Sequence, residues 1–329
     1  MPSCIVEMGF MNNAKDNQLF DDNKEAYAAA IGDAIIATYK TYHGDGTGGN
    51  TEADTSIGDT TTGDTDTDGT SGSTEDSTAA EDTKNVGEVI TNQQIANVET
   101  LDGTCQNWGQ GVNFDEENRP IGAVSYQEKY GDYQANFIGA DEKKIYLTFD
   151  EGYENGYTAK ILDVLHDTGV PAAFFVTGPY LEGQQELVQR MISEGHVVGN
   201  HTIHHPNLGE CSDEKIKEEL DGLNEKCEKL YGVKMQFMRP PEGAYSERSL
   251  AVTQNLGYKT ILWSHAYKDW DVNFQPGAEN AIKQVVPYFH NGEILLLHAV
   301  SKDNAEALAD MITAAREQGY EFKSLNDLE

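Results

Sequence analysis

Basic residues are scarce in this chain. Of its 329 residues, 23 are Lys or Arg and 56 are Asp or Glu, which gives a formal net charge of −33 at pH 7. Proteins that bind a nucleic-acid backbone need clustered Lys and Arg to displace its counterions. The charge balance therefore excludes that class, and we expect no nucleic-acid partner.

Cysteine is scarce as well. The chain has four cysteines, Cys4, Cys105, Cys211 and Cys227, and no CxxC pair. This excludes a zinc ribbon and a dense disulfide scaffold. The pattern favours unpaired thiols and leaves a Cys211–Cys227 bridge open.

Long apolar runs are lacking. No run is long enough to span a bilayer, and residues 1–7 lack the charged and apolar regions of a signal peptide. From the chain as given, we expect neither a transmembrane segment nor an export signal.

Composition divides the chain into regions. Residues 1–42 combine a short apolar start with a helical pattern. Between Gly44 and Thr83 there is no Lys, Arg or aromatic residue, and such a segment cannot bury enough apolar surface to offset its ordering entropy. We predict a disordered acidic linker over residues 43–84.

A mixed lead-in segment occupies residues 85–143. We expect it to pack on the domain that follows through its aromatic residues, Trp108, Tyr126, Tyr130, Tyr133 and Phe137.

Residues 144–329 show the regular alternation of an α/β domain. Helical segments separate seven apolar runs: Ile145–Phe149, Ala172–Val176, Val197–Thr202, Met235–Met238, Thr260–Trp263, Ile294–Leu297 and Tyr320–Phe322. A glycine stands where five of the helices should end: Gly169, Gly195, Gly232, Gly257 and Gly319. The pattern predicts a parallel (β/α) barrel or a doubly wound sheet.

Polar residues follow several of these runs. Asp150 and Glu151 follow the first, His201 the third, Arg239 the fourth and His298 the sixth. The carboxyl ends of parallel strands meet on one face of a barrel, where active sites are built. We therefore expect these side chains to cluster.

The segment His201–His205 places two imidazoles four residues apart. On a helical turn they would face the same way and could share a metal ion, to which the adjacent carboxylates Asp150 and Glu151 could add a third ligand and a base. Two His and a carboxylate leave an open position for a water, which is the arrangement of hydrolases. Taken singly, each of these residues also fits a structural role, as a strand end, a helix cap or a surface turn.

Arg239 follows a predicted buried strand, so its planar guanidinium is placed to orient a carboxylate. Its other interpretation is a surface turn. Asp269 and His298 carry little signal on their own.

Together these residues form five ordered motifs that resemble those of the polysaccharide deacetylases, carbohydrate esterase family four. The motifs are Thr148-Phe-Asp150-Glu151, His201-Thr-x-x-His205, Arg239-x-Pro241-x-Gly243, Asp269-Trp270 and Leu297-His298. Thr148–Asn155, Trp263-Ser264 and Leu296–Asn304 look most like the delta-lactam-forming deacetylases, which act on N-acetylmuramic acid in peptidoglycan whose stem peptide has been removed. The resemblance implies a distorted, incomplete (β/α) barrel.

The resemblance also implies roles for individual residues. Asp150 is the expected general base and His298 the general acid, with Arg239 orienting Asp150 and Asp269 holding His298. A divalent metal, most simply zinc, would be held by His201, His205 and Glu151. The metal and a backbone N–H near Glu242 would stabilise the oxyanion. Substrate contacts are expected from Tyr153, Pro241, Glu242, Gly243 and Trp270.

Two positions depart from the family pattern. Glu151 stands where most members have an Asp ligand, which leaves the metal's identity open. Glu242 stands where many members have Tyr, and we interpret this change as substrate tuning.

Residues 1–42 resemble the C-terminal end of zinc-dependent N-acetylmuramoyl-L-alanine amidases, in which the Glu matching Glu7 is catalytic. The amidase's zinc ligands are absent from the sequence, so we expect Glu7 to have nothing to activate and the segment to be a truncated fragment. A chance strand–helix unit is the alternative.

The resemblance implies a hydrolase of peptidoglycan glycan strands, acting on N-acetylmuramic acid after peptide removal, as in the spore cortex, and we expect it to be a monomer. The alternatives are a deacetylase of chitin or N-acetylglucosamine, and a catalytically silent glycan-binding module. The substrate implies work outside the cytoplasm.

Overall fold

The computed structural model describes residues 94–328, which belong to one compact unit. The predictions for the amidase-like segment, Glu7 and the acidic linker lie outside these described residues.

A parallel sheet of nine strands forms the frame of the domain. The strands are β2 (Ala135–Asn136), β3 (Lys144–Glu151), β4 (Ala172–Val176), β5 (Val197–Asn200), β6 (Phe237–Met238), β8 (Lys259–Ile261), β9 (His265–Ala266), β10 (Glu293–His298) and β11 (Glu321–Phe322). Their order in the sheet is β2-β8-β6-β5-β4-β3-β10-β9, and β11 pairs with the first residues of β3. A separate antiparallel pair joins β1 (Gln106–Asn107) to β7 (Ala244–Tyr245). The parallel sheet curls into an incomplete barrel, as the sequence predicts.

Helices connect the strands, because parallel neighbours need a crossover. They are α1 (Ile121–Tyr130), α2 (Thr158–Thr168), α3 (Gly178–Gly183), α4 (Gln185–Ser193), α5 (Asp213–Tyr231), α6 (Glu247–Asn255), α7 (Ala278–Val285) and α8 (Lys302–Glu317).

Strand β3 shows how the two layers are built. Leu147 and Phe149 belong to the core cluster that includes residues of the helices, whereas Tyr146 belongs to a second cluster with Phe175 and Ile261. Successive side chains of a strand point to opposite faces, so this alternation separates a helix face from an inner face.

All seven predicted runs contain strands, and the five predicted helix-terminating glycines all have positive φ. Gly169 and Gly232 follow α2 and α5 directly in the left-handed conformation, where a side chain would be strained.

The lead-in segment forms part of the barrel. Its β2 pairs with β8 at one edge of the sheet, and the Trp108 indole N–H donates to the Trp263 carbonyl at 2.9 Å. Phe137 and Tyr130 pack in one cluster with Tyr245. The sequence did not predict this strand, because Ala135–Asn136 lies in none of the apolar runs.

Within residues 94–328, no helix combines the length and apolar character needed to cross a membrane. Cys105, Cys211 and Cys227 are free thiols, so the bridge between Cys211 and Cys227 is not formed.

Candidate active site

The strand ends bring the predicted polar residues together. Asp150 and His298 are directly paired across β3 and β10. His201 follows β5, which lies two strands from β3, and Arg239 follows β6. The carboxyl edge of the sheet therefore holds a carboxylate, a guanidinium and two imidazoles.

Arg239 is fully buried and fixes Asp150 in place. Its Nη1 donates to Asp150 Oδ1 at 2.9 Å, while Nε and Nη2 each donate at 3.0 Å to the carbonyls of Ile261 and Leu262. The guanidinium also lies 4.4 Å from the centre of the Phe175 ring. Because backbone carbonyls and a carboxylate hold its donors, the guanidinium has one orientation. Its bond to Asp150 fixes the orientation of that carboxylate as well.

Charge decides the state of Asp150. Burial alone raises the pKa of its carboxyl, but the charge of Arg239, joined in acid by those of the protonated His201 and His298 rings, outweighs burial and lowers the pKa below its ordinary value. Asp150 is therefore ionised at neutral pH and available as a proton acceptor.

The two predicted metal ligands lie side by side. The rings of His201 and His205 are 4.9 Å apart between centroids and nearly perpendicular, at 77°. His201 Nδ1 lies 2.8 Å from the Arg239 carbonyl, which can only accept, so Nδ1 carries the proton and Nε2 has a free lone pair. Burial lowers the pKa of His201 to about 4, which keeps the ring neutral at physiological pH.

The loop that carries this pair is not helical. The prediction of a helical turn is wrong, because Thr202 and His205 have positive φ values of 67° and 58°. Side chains replace the missing helical bonds: Asn200 Oδ1 accepts from the Thr202 amide and Thr202 Oγ1 from the His205 amide, both at 2.9 Å. Strained backbone of this kind is found at functional sites whose surroundings hold it.

A buried carboxylate on α5 also holds this loop. Glu219 Oε2 accepts the His204 amide at 2.8 Å, and its Oε1 lies 2.8 Å from His204 Nδ1 and 2.9 Å from Lys215 Nζ. Sequence reasoning missed Glu219, because α5 has several other acidic residues and nothing in its spacing singles this one out.

Glu151, the predicted third ligand, faces a different environment. Strand alternation places it on the helix face with Phe149, and its nearest electrostatic neighbours are Glu154 and Tyr180 in addition to Asp150. It is fully buried, and neither carboxyl oxygen has a hydrogen-bond partner. Burial, together with the charges of Glu154 and Asp150, raises its pKa well above the ordinary value.

The donor set fits a metal ion in part. His201 Nε2 lies 3.7 Å from Asp150 Oδ2, so an unprotonated nitrogen faces an ionised oxygen, a contact that a cation would stabilise. His205 adds a second imidazole beside the first. Over residues 94–328, however, no three His, Cys, Asp or Glu side chains converge as a ready ligand set. Two imidazoles fit a divalent ion, and the ligand role of Glu151 stays a prediction.

His298 is held by Asp269. Its Nδ1 lies 2.7 Å from Asp269 Oδ1, and its amide donates to Asp269 Oδ2 at 2.7 Å. Burial lowers the pKa of His298, but the Asp269 charge outweighs burial and raises it above the ordinary value. The ring therefore retains its proton to higher pH than a free histidine, as a general acid requires.

The predicted substrate contacts divide into exposed and buried residues. Trp270 is 42% exposed with its ring centre 5.7 Å from that of His298, and Tyr153 is 54% exposed. Pro241 and Gly243 are buried, and a Cβ on Gly243 would meet Trp263 at 2.7 Å. Glu242 is exposed with φ 58°. Trp270, Tyr153 and Glu242 are therefore accessible to a ligand, whereas Gly243 allows close packing.

Comparisons with known proteins identify the family of this chain. The family model described as "Polysaccharide deacetylase" matches residues 138–261. The chain is 45% identical over 237 residues to the peptidoglycan-N-acetylmuramic acid deacetylase PdaA of Bacillus subtilis, covering 71% of this chain and 89% of that protein. It is 33% identical over 218 residues to a peptidoglycan-N-acetylglucosamine deacetylase of Bacillus cereus, covering 65% of this chain and 96% of the relative.

The solved structure of PdaA from Bacillus subtilis, described as a family 4 carbohydrate esterase, superposes with a TM-score of 0.66 at 44% identity. The superposition covers 69% of this chain and 98% of the PdaA chain. With the barrel and the five motifs in place, this similarity defines the class of enzyme. The chain belongs to the polysaccharide deacetylase family.

Proposed function

We propose that this protein removes the N-acetyl group from N-acetylmuramic acid in peptidoglycan glycan strands from which the stem peptide has been cleaved. The observation that carries the proposal is the pairing of Asp150 with His298 on neighbouring strands. One is an ionised acceptor and the other a proton donor, which are the two groups that amide hydrolysis needs.

Asp150 acts first, as the general base. Its carboxylate takes a proton from a water molecule as the water oxygen bonds to the acetamide carbonyl carbon, and the carbonyl π electrons move to oxygen. Arg239 keeps the carboxylate oriented and ionised during this step.

His298 completes the reaction as the general acid. Its Nε2 proton passes to the acetamide nitrogen as the carbon–nitrogen bond breaks, because an amine leaves more readily than an amide anion. The products are acetate and the free amino sugar. Asp269 stabilises the imidazolium before the transfer and holds Nδ1 away from the substrate.

His201 and His205 are the residues that would hold a divalent metal, for which we propose zinc. Such an ion supplies Lewis acidity, which makes a water more acidic and polarises the carbonyl oxygen.

The choice of muramic acid rests on similarity to PdaA, whose name states that substrate. We infer delta-lactam formation of the spore-cortex type from the same similarity. Because peptidoglycan lies outside the cytoplasm, we place the protein there, as a monomer on glycan strands. Trp270 and Tyr153, accessible beside the site, are the proposed contacts to the sugar.

N-acetylglucosamine is the second candidate substrate, because a relative at 33% identity is a peptidoglycan-N-acetylglucosamine deacetylase. A chitin-like oligomer shares the same reacting group. A silent glycan-binding module is disfavoured by the presence of the acceptor, the donor and both imidazoles.

The test is acetate release from three substrates: peptide-stripped peptidoglycan, intact peptidoglycan and a chitin oligomer. Each is assayed with a chelator and then with zinc or another divalent ion restored. We expect chelator-sensitive release from the stripped glycan alone. Equal release from the chitin oligomer would transfer the proposal to N-acetylglucosamine, and no release with any metal would favour the silent module.

A further inference from the structure

A chain of hydrogen bonds continues behind the His298–Asp269 pair to a residue that the motifs do not include. Asn304 Nδ2 donates to Asp269 Oδ2 at 2.5 Å and to the His298 carbonyl at 3.3 Å. Asn304 is fully buried, so water does not compete for these bonds. One side-chain amide thus joins the carboxylate to the backbone of the imidazole that it holds.

The orientation of this amide is set from the other side. The Tyr267 hydroxyl donates to Asn304 Oδ1, which leaves Nδ2 directed at Asp269. Burial raises the pKa of Tyr267, so the phenol stays protonated and remains a donor. An amide turned the other way would place its oxygen against the Asp269 carboxylate.

The backbone around Asn304 is equally fixed. Asn304 lies in the first turn of α8, and its amide donates to Oγ of Ser301, the residue before the helix, at 3.2 Å. Ser301 in turn donates to Gln275 Oε1 at 2.9 Å, and Gln275 Nε2 donates to the Asp269 carbonyl at 3.2 Å. The start of α8 and the loop that carries Asp269 are therefore tied together.

These contacts complete the environment of Asp269, which is only 2% exposed. Its Oδ1 faces His298 Nδ1, and its Oδ2 accepts both the His298 amide and Asn304. A carboxylate buried with fewer donors is costly and is free to rotate. His298 supplies two of the three hydrogen bonds to the Asp269 carboxylate, and Asn304 supplies the third.

We propose that Asn304, oriented by Tyr267, is a positioning residue for the general acid: it locks Asp269 so that His298 keeps Nδ1 on the carboxylate and presents Nε2 to the leaving nitrogen. The proposal rests on the deacetylase function given above. Asn304 does not touch the substrate and acts through Asp269.

The first test compares two helical asparagines whose side chains each form a hydrogen bond to another element, one at the site and one away from it. Asn304→Ala should lower kcat by about 10- to 100-fold, the usual effect of losing an outer partner of a site histidine, with KM changed less than about threefold. Asn224→Ala on α5 is the matched control, because it loses a 2.8 Å bond to the Met235 amide away from the site. We expect kcat of the control to stay at the wild-type level.

The second test separates the donor from the space that it fills. Asn304→Leu fills nearly the same space but offers no donor to Asp269, no acceptor to Tyr267 and no charge. We expect kcat as low as for Asn304→Ala. Recovery of wild-type kcat in this variant would overturn the proposal, because packing alone would then explain the role of Asn304. Tyr267→Phe keeps the donor but frees the amide to turn, so a loss of about threefold, smaller than that of Asn304→Ala, is expected.

A readout without turnover keeps this inference separate from the choice of substrate. In nitrogen-15 NMR of the full chain, the His298 Nδ1 proton should appear downfield, as expected for a charged hydrogen bond of 2.7 Å. The charges of Asp269, Asp150 and Arg239 act on this ring. The spectrum of Asp150→Asn shows how much of the shift comes from the Asp150 charge rather than from Asp269. Loss of the downfield signal in Asn304→Ala but not in Asn224→Ala supports the proposal even on a chain that deacetylates no substrate tried. An unchanged signal in Asn304→Ala contradicts the proposal.

Discussion

The two faces of β3 give neighbouring carboxyl groups opposite properties. On the inner face, Asp150 accepts from Arg239, and its pKa is lowered although it is buried. On the helix face, Glu151 is buried without a hydrogen-bond partner, and its pKa is raised. The difference arises from the neighbours: Asp150 faces cations, whereas Glu151 faces Glu154 and the helix-face core. A carboxylate at the right motif position can therefore be either a base or a neutral buried acid.

The largest expected effect comes from breaking the inner face. Asp150→Asn removes the proton acceptor while keeping its shape, and acetate release should fall by about 10²- to 10⁴-fold. The variant should still bind the glycan, as measured by co-sedimentation with stripped peptidoglycan. Asp163→Asn, an exposed partner of Arg190, is the control and should be fully active. Wild-type activity in Asp150→Asn would remove Asp150 from its role.

A smaller effect is expected at the acid on the same side of the sheet. Asp269→Asn takes away the charge that raises the pKa of His298, so the ring loses its proton at lower pH. We expect kcat/KM to fall by about 10²-fold and its alkaline limb to move to lower pH. Asp310→Asn, exposed on α8, should leave the profile unchanged. If the alkaline limb of the kcat/KM profile does not move in Asp269→Asn, the limb reports the titration of a group other than His298.

The smallest effect on turnover is expected from the helix face. Because strand alternation places Glu151 on the face opposite Asp150, Glu151→Gln should retain acetate release within about threefold at saturating zinc. The decisive measurement is zinc affinity by competition with a chromogenic chelator. A 10-fold or greater loss, the size typical of a lost metal-site residue, would make Glu151 a ligand after all and end the contrast between the two faces.

The same variant should change the pH dependence of stability. A carboxyl whose pKa is raised in the folded state contributes most below its unfolded pKa, and that contribution is lost as pH rises through the folded value. Relative to Glu151→Gln, wild type should therefore lose stability as pH rises above the ordinary glutamate pKa of about 4.3. By thermal unfolding of the metal-free proteins, we expect the melting temperature of the variant to exceed that of wild type at pH 8. The two should melt together at pH 4, and a constant difference across this range would contradict the assignment.

The fold was largely predictable because each layer repeats a local signal. Buried strands such as β3 and β10 are continuous apolar runs, and Gly169 and Gly232 mark helix ends through a backbone conformation that glycine favours. The short strands β2 and β9 could not be predicted, since Asn136 and His265 are polar, no apolar run marks either strand, and their pairing depends on neighbours distant in the chain.

The site was predictable in its composition and less so in its geometry. Asp150, Arg239 and His298 each lie at the carboxyl end of a strand, and in a parallel sheet these ends lie along one edge. The backbone of the His201–His205 loop depends on side-chain bonds from Asn200 and Thr202, which no spacing reveals. Asn304 stood within a recognised stretch of sequence, but its role becomes visible only once α8 is folded against Asp269.

The pairing of β2 with β8 has a consequence for handling the protein. The family match begins at residue 138, after β2, so a fragment cut at that boundary would uncover the backbone amides and carbonyls of β8 along a free sheet edge. Exposed strand edges recruit other chains and promote aggregation. A shelf-stable preparation of the enzyme would thus depend on keeping a segment that contains none of its chemistry.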